Sequence, residues 1–403
     1  MNKALPALER RSRPLLTAAV LTAALLALAL PGAGSAQSFL GARGLGVPVG
    51  AVGARAAALG NLGIGLGGVE VSANDPATWA NLVWPTVSIS MQPTWGEFDL
   101  DDRVGDARAT RFPLLGIGYP VHRARGVVTL SLGGYLEQRF VAEHESKVIL
   151  NDVEVDVEDR LAVDGGTSVV RLGWAQRLGS RFAFGVAAGA YVGRLEEVFD
   201  RELDSLAIGG EVYSFLEENR WRYSGTTVTV GFSGDPAELL HVAGAVEWSR
   251  DLTEAPQGET VGESLYSIPA RYSGGATGRL SPRLHLNASV VYQDWSAAEG
   301  FGEGVLSQRK WNLGTGLEWL LFDGETRSLP LRFGFRQLAA PFRYEKDDPV
   351  ETIWSLGAGF NFVKAENQRF GWMDVALERG TRTSEPLAER FWRATISIGV
   401  SRF

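Results

Sequence analysis

From about residue 85 to its end, the chain alternates apolar and polar residues in short runs, and after residue 36 it never offers about 18 consecutive apolar residues. A period of two sends successive side chains to opposite faces of a strand. Leu331, Phe333 and Phe335 alternate with Arg332, Gly334 and Arg336, and Trp354, Leu356, Ala358, Phe360 and Phe362 with Ser355, Gly357, Gly359 and Asn361. Met373, Val375 and Leu377 alternate with Asp374 and Glu378. The final run, Phe391 to Phe403, sets Trp392, Ala394, Ile396, Ile398 and Val400 against Arg393, Thr395, Ser397, Gly399 and Ser401. A strand of this kind leaves two unpaired edges unless the sheet closes on itself. Without a spanning helix, a closed barrel is the remaining structure that satisfies every backbone group in lipid.

The alternation predicts fourteen strands, near 85–95, 108–120, 126–140, 166–178, 181–195, 220–233, 241–250, 268–280, 283–295, 308–321, 329–338, 350–363, 369–379 and 391–403. Each is long enough to cross a bilayer at the usual tilt. Short connections follow the even-numbered strands, such as Gly179-Ser180 and Ser281-Pro282. Longer ones follow the odd-numbered strands: 96–107, 141–165, 196–219, 251–267, 296–307, 339–349 and 380–390. Short inner turns alternating with long outer loops are the mark of an outer-membrane barrel, with both termini in the periplasm. The fold class expected is therefore all-β: a 14-stranded antiparallel transmembrane β-barrel over residues 85–403 with an N-terminal segment inside it.

The apolar parity must then face lipid, where an Arg or Lys at mid-depth costs ~2–4 kcal/mol. Arg171, Glu247, Glu318, Arg332, Arg336 and Asp374 are expected to point inward. Trp95, Trp248, Trp295, Trp319, Trp372 and Trp392 sit toward strand ends and are expected in the interfacial girdles. Phe403 has the opposite parity to Ile396, Ile398 and Val400, so a register change near Ser401-Arg402 is expected.

Residues 1–36 read as a secretory signal peptide: Lys3, Arg10, Arg11 and Arg13, then an apolar stretch from Leu15 to Leu30, then Gly34-Ser35-Ala36 before a cut ahead of Gln37. From a net charge of −8, loss of those four cations and of Glu9 leaves a mature chain of −11. That acidity argues against a nucleic-acid partner. The chain contains no Cys, and its four His (His122, His144, His241, His285) are scattered, so neither thiolate chemistry nor a metal site is expected. No catalytic arrangement stands out, and no cofactor is expected. Gly63, Gly65 and Gly68 satisfy a G-x-G-x-x-G pattern, but no βαβ unit surrounds them.

Two further stretches carry information. Residues 37–84 are rich in Gly and Ala, which lets backbone pack closely and suits a plug inside a barrel. In 196–219, Phe199, Leu203, Leu206, Ile208, Phe215 and Leu216 are many apolar groups for an outer loop; they must pack on another loop, the barrel mouth or an apolar ligand. By contrast, Asp152 to Asp159 alternates acidic and Val residues, which suggests a hairpin with one acidic face.

The run Ala54-Arg55-Ala56-Ala57-Ala58-Leu59-Gly60-Asn61-Leu62-Gly63-Ile64-Gly65-Leu66 resembles the opening of the FadL-type outer-membrane proteins, the long-chain fatty-acid and hydrocarbon transporters and their PorV-type relatives. The family's Asn-Pro-Ala-Gly-Leu element is matched at the right distance by Asn74-Asp75-Pro76-Ala77, with Asp inserted and Gly-Leu missing; Asn81-Leu82 is a second partial match. The resemblance implies an outer-membrane location, lipid and lipopolysaccharide around the wall, barrel-assembly machinery in biogenesis, and a hydrophobic small-molecule ligand. It implies capture among outer loops, passage into the barrel, and release sideways or downward when a hatch (37–84, with Asn74, Pro76, Ala77 and Asn81) shifts. Gly133-Gly134 would mark a bulge or weak place in the wall. A PorV-like role in protein secretion or surface assembly and a water-filled porin remain alternatives.

Overall fold

The computed structural model describes residues 38–401 apart from 43, 101–102, 122–125, 151–152, 204–213, 259–261, 303–304, 308, 325–326, 345–346, 366–367 and 385–386. The expected leader and Phe403 lie outside the described residues. Fourteen wall strands run in chain order: β1 (Thr86–Leu100), β2 (Arg103–Val121), β3 (Gly126–Leu150), β4 (Val153–Leu178), β5 (Phe182–Leu203), β6 (Ser214–Ala237), β7 (Leu240–Ser249), β8 (Arg271–Ser281), β9 (Leu284–Asp294), β10 (Arg309–Asp323), β11 (Ser328–Ala339), β12 (Val350–Ala365), β13 (Gln368–Ser384) and β14 (Leu387–Ser401). Each pairs antiparallel with its neighbours, and β14 closes on β1 from Leu387 opposite Leu100 to Ser401 opposite Thr86. The short strands Leu252–Pro256 and Ser264–Tyr266 extend the wall above β7 and β8, the first pairing with β6. The β14–β1 ladder is regular to its last described pair, so a register change could fall only beyond Ser401.

Alternation decides the faces as expected. Arg171, Glu247, Glu318, Arg332, Arg336 and Asp374 are buried, whereas Ile89, Leu172, Phe333, Leu356 and Leu377 are exposed on the outer surface. On β5 the outward residues run Phe182, Val186 and Val192 and then change to Arg194, which sets the upper edge of the apolar belt. Trp95, Trp248, Trp319 and Trp392 face outward. Trp295 and Trp372 do not: both are buried. Trp372 lies on the inward parity of β13 and folds over Gly399, where a side chain would collide with its ring.

The outer connections differ from the expectation in a consistent way. Segments 96–107, 141–165 and 380–390 are mostly ladder, with strands pairing up to the gaps at 101–102, 151–152 and 385–386. Antiparallel pairing continues into water wherever alternation persists, and β3 to β6 stand as a tall sheet above the belt. At its tip Val155 and Val157 are buried, while Lys147 bridges Glu154 (3.0 Å) and Asp156 (3.6 Å) on the other face.

A fourteen-stranded wall encloses more space than its own side chains fill. Residues 38–84 occupy that space. Among the described residues of this segment the one α-helix is α1 (Ala54–Ala58), with Ala54, Ala56, Ala57 and Ala58 buried. The segment touches the wall backbone to backbone. A Cβ on Gly314, Gly316 or Gly334 would strike Leu59-Gly60, and one on Gly275 would strike Ile64. Gly60 and Gly65 themselves hold φ of +59° and +73°, which L side chains resist. This contact accounts for Gly60 and Gly65; Gly63 and Gly68, which complete the G-x-G-x-x-G pattern, do not touch the wall but hold φ of +84° and +89°. Gly334→Leu is expected to leave the barrel heat-modifiable but to unseat the segment. Limited proteolysis in detergent should then cut within 38–84 in the variant and not in the parent; equal protection would show that the glycine seat is dispensable.

Candidate functional site: a cavity between the inner segment and the outer roof

The inner segment is tied down around the lumen. The Ala54 amide donates to Ser397 Oγ (2.7 Å), the Leu62 amide to Ser289 Oγ (3.0 Å), Ser355 Oγ to the Ala58 carbonyl (3.0 Å) and Thr277 Oγ1 to the Gly65 carbonyl (2.7 Å). Arg55, next to the first of these, reaches Glu318 (3.2 Å) and Glu70 (3.1 Å). Glu318 also holds Arg332 (2.7 Å), which reaches Asp374 (2.6 Å). The chain Glu70–Arg55–Glu318–Arg332–Asp374 thus runs from segment into wall, with each buried charge paired.

The expected hatch motif is part of this seat. Asn74 donates to the Leu62 carbonyl (3.1 Å) and accepts from Arg271 (3.2 Å). Pro76 lies against Gly185 and Gly231, where any Cβ would crowd it, and Ala77 is fully buried. Asn81 donates to the Gly68 carbonyl (3.2 Å). The inserted Asp75 accepts from the amides of Ala77 and Thr78 (both 3.2 Å).

On one side the wall is incomplete. The β2–β3 ladder stops at Leu114 opposite Gly133, and β3 shifts register against β4 between Gly134 and Leu136. Above that point Val47–Pro48 pairs with Leu136 and Glu137, Val49 donates to the Tyr135 carbonyl (2.8 Å) and Ser38 to the Arg139 carbonyl (3.2 Å). The inner segment therefore takes the place of a wall strand at the gap. Gly134 sits at its edge, facing Val49.

Beside this seal lies a cavity of about 130 Å³. Its floor is Val47 to Gly50 with Leu62, and Tyr135 and Leu136 form the gap side. Leu338, Pro341, Phe342 and Trp295 supply an apolar roof, while Arg111, Arg336, Arg382, Arg393 and Glu351 make one polar side. The roof is a ring cluster: Trp295–Phe342 at 5.6 Å, Phe301–Phe342 at 5.5 Å and Tyr266–Phe301 at 4.9 Å between centroids. Phe342 also packs on Gly44, so roof and inner segment share one side chain.

The structure does not bring the expected ligand residues to this cavity. Phe199 and Leu203 lie on β5, and Phe215 and Leu216 on β6. They belong to the ribbon above the belt, with Phe199 and Phe215 in ring contact (6.3 Å) and Phe215 and Leu216 exposed. Leu206 and Ile208 lie outside the described residues. Of the polar side of the cavity, sequence reasoning marks only Arg336, by its inward parity on β11; no local motif links the rest, and inward parity on β12, β13 and β14 is the one signal pointing to Glu351, Arg382 and Arg393.

No family model and no curated protein matches the chain. Solved structures do. The Ralstonia pickettii toluene transporter TbuX aligns over 88% of this chain and 99% of its own at 14% identity and a TM-score of 0.58. A Pseudomonas aeruginosa FadL homologue aligns over the same shares, at 14% identity and 0.59. The fold is that of the FadL-type barrels. The Pseudomonas putida toluene transporter TodX has the same fold, at 12% identity, 88% and 99% coverage and 0.54.

Burial pushes the Asp75 carboxyl up to about 6, outweighing the amides that favour its charge. An unfolded Asp titrates near ~3.9. The protonated form therefore stabilises the seated segment below that value, and this contribution is lost as pH rises through about 6. Asp75→Asn is expected to be more stable to unfolding than the parent at about pH 7.5, by roughly 3 kcal/mol, and of nearly the same stability at about pH 4. A gap that does not narrow on acidification would contradict this.

Proposed function

We propose that this chain passes small molecules with apolar bodies across a bacterial outer membrane, with residues 37–84 as its hatch, 85–403 as the barrel and 1–36 as a leader removed on export. The observation that carries the reading is the cavity set directly behind a wall gap where the inner segment supplies the backbone pairing and the Arg111–Glu137 ion pair (3.0 Å) crosses between the strands. The similar folds of a toluene transporter and a FadL homologue support it. An incoming molecule first meets apolar groups of the outer ribbon, Phe199, Leu203, Phe215 and Leu216, with Leu206 and Ile208 of the intervening sequence as further candidates. It passes under Phe342 into the cavity, gaining ~0.8 kcal/mol per buried CH₂. Movement of residues 38–52 then frees it sideways between β2 and β3 or downward past α1. Lipopolysaccharide surrounds the ribbon and assembly machinery inserts the barrel.

Size narrows the occupant. An apolar cavity of ~150 Å³ holds one benzene ring, so the cavity at rest matches one ring and not a full long acyl chain.

A cross-link tests the route. A Cβ on Gly134 would lie 3.2 Å from Val49 Cβ, near disulfide distance, and the chain has no Cys of its own. Val49→Cys/Gly134→Cys is expected to abolish uptake of a small aromatic solute by proteoliposomes when oxidised and to restore it on reduction. Uptake unchanged by oxidation would exclude movement of this segment.

A further inference from the structure

We propose that the cavity takes a ring compound bearing one carboxylate, a benzoate-class anion, with the carboxylate on Arg336 and Arg393 and the ring under Trp295 and Phe342. This rests on the cavity being the passage site proposed above, and names its substrate class.

Charge on the lining is one-sided. Arg111, Arg271, Lys310, Arg336, Arg382 and Arg393 all line the cavity, and Glu351 is its one lining carboxylate. Glu351 pairs with Arg382 and with Arg393 (3.4 Å), while the other acids that hold these cations do not line it: Glu137 on Arg111 (3.0 Å), Glu378 on Arg336 (2.5 Å), Glu389 on Arg382 (3.2 Å) and Asp348 on Lys310 (2.8 Å). The face toward the cavity is therefore positive, in a setting of low dielectric where an anion is held strongly.

The donors there are also unfinished. Arg393 is buried and makes a single long hydrogen bond, 3.4 Å to Glu351, with Glu378 at 4.0 Å. Its Nε and that of Arg336 are buried without a hydrogen-bond partner among the described residues, as are both carboxylate oxygens of the neighbouring Glu378. Buried donors are normally satisfied, and a planar guanidinium suits a carboxylate's two oxygens. The Phe391 ring lies 4.5 Å from the Arg393 guanidinium and 4.6 Å from that of Arg382, so both are positioned without spending a donor.

Volume and roof supply the other half of the ligand. About 130 Å³ accommodates one ring, and Trp295 and Phe342 present aromatic faces to it. A neutral hydrocarbon of that size would bring no counter-charge to the cations of the lining, and a long-chain acid would exceed the space.

The test uses the intact mature protein in detergent, titrated calorimetrically with sodium benzoate, toluene and sodium laurate. Benzoate is expected to bind at least tenfold more tightly than toluene or laurate. Arg393→Gln should weaken benzoate at least tenfold and leave toluene within twofold. Toluene or laurate binding as tightly as benzoate overturns the substrate class while leaving the passage site standing, as does benzoate binding that Arg393→Gln and Arg336→Gln both leave unchanged. Binding of none of the three overturns both. If neither variant yields a heat-modifiable barrel, the ranking on the parent protein decides alone.

Discussion

In hydrocarbon a sheet with a free edge leaves a row of peptide groups without partners, each costing several kcal/mol. The pairing of β14 with β1 removes that edge, and the rest of the molecule follows from it. Closure with fourteen strands fixes a lumen too wide for the wall's own side chains. The lumen must be flooded or filled. Here it is filled by a segment whose composition is explained by the filling: glycine where backbone meets backbone, alanine on the short helix α1, and an arginine, Arg55, that links segment to wall.

That link trades hydrophobic packing for selectivity of position. Buried ion pairs contribute little net stability against an apolar alternative, but removing one partner is costly, typically 3–5 kcal/mol. The alternating chain from Glu70 to Asp374 therefore makes one seating of the segment far better than any displaced one. Where the β2–β3 ladder fails, the same segment serves as a strand. One element thus plugs the lumen, completes the wall and floors the cavity, and its displacement alters all three together.

Much of the wall was legible because lipid punishes a wrong parity. The expected strand 283–295 and the observed Leu284–Asp294 differ by a residue at each end, and Arg332, Asp374 and their neighbours point inward as alternation required. Above the belt that penalty vanishes, so segment 141–165 reads as an outer connection in which only the alternation of Asp152 to Asp159 points to a hairpin, whereas the ladder of β3 and β4 runs through nearly all of it. Trp295 and Trp372 were misplaced because position near a strand end says nothing about which face a ring takes. The cavity was illegible for another reason. Its residues come from the inner segment, β1 to β3, β8 to β11, the segment after β11 and strands β12 to β14, and only closure brings them together. The apolar run around Phe199 drew attention because it is contiguous, whereas Arg393 and Phe342 are each unremarkable in their own stretch.

The central claim is that residues 38–84 close the lumen. Ion conductance in planar bilayers tests it most directly, comparing the mature chain with one lacking residues 37–84. The mature barrel is expected to stay largely silent, and the truncated one to remain heat-modifiable and conduct steadily. Equal conductance from the two, or a truncated chain that does not form a barrel, would contradict the account.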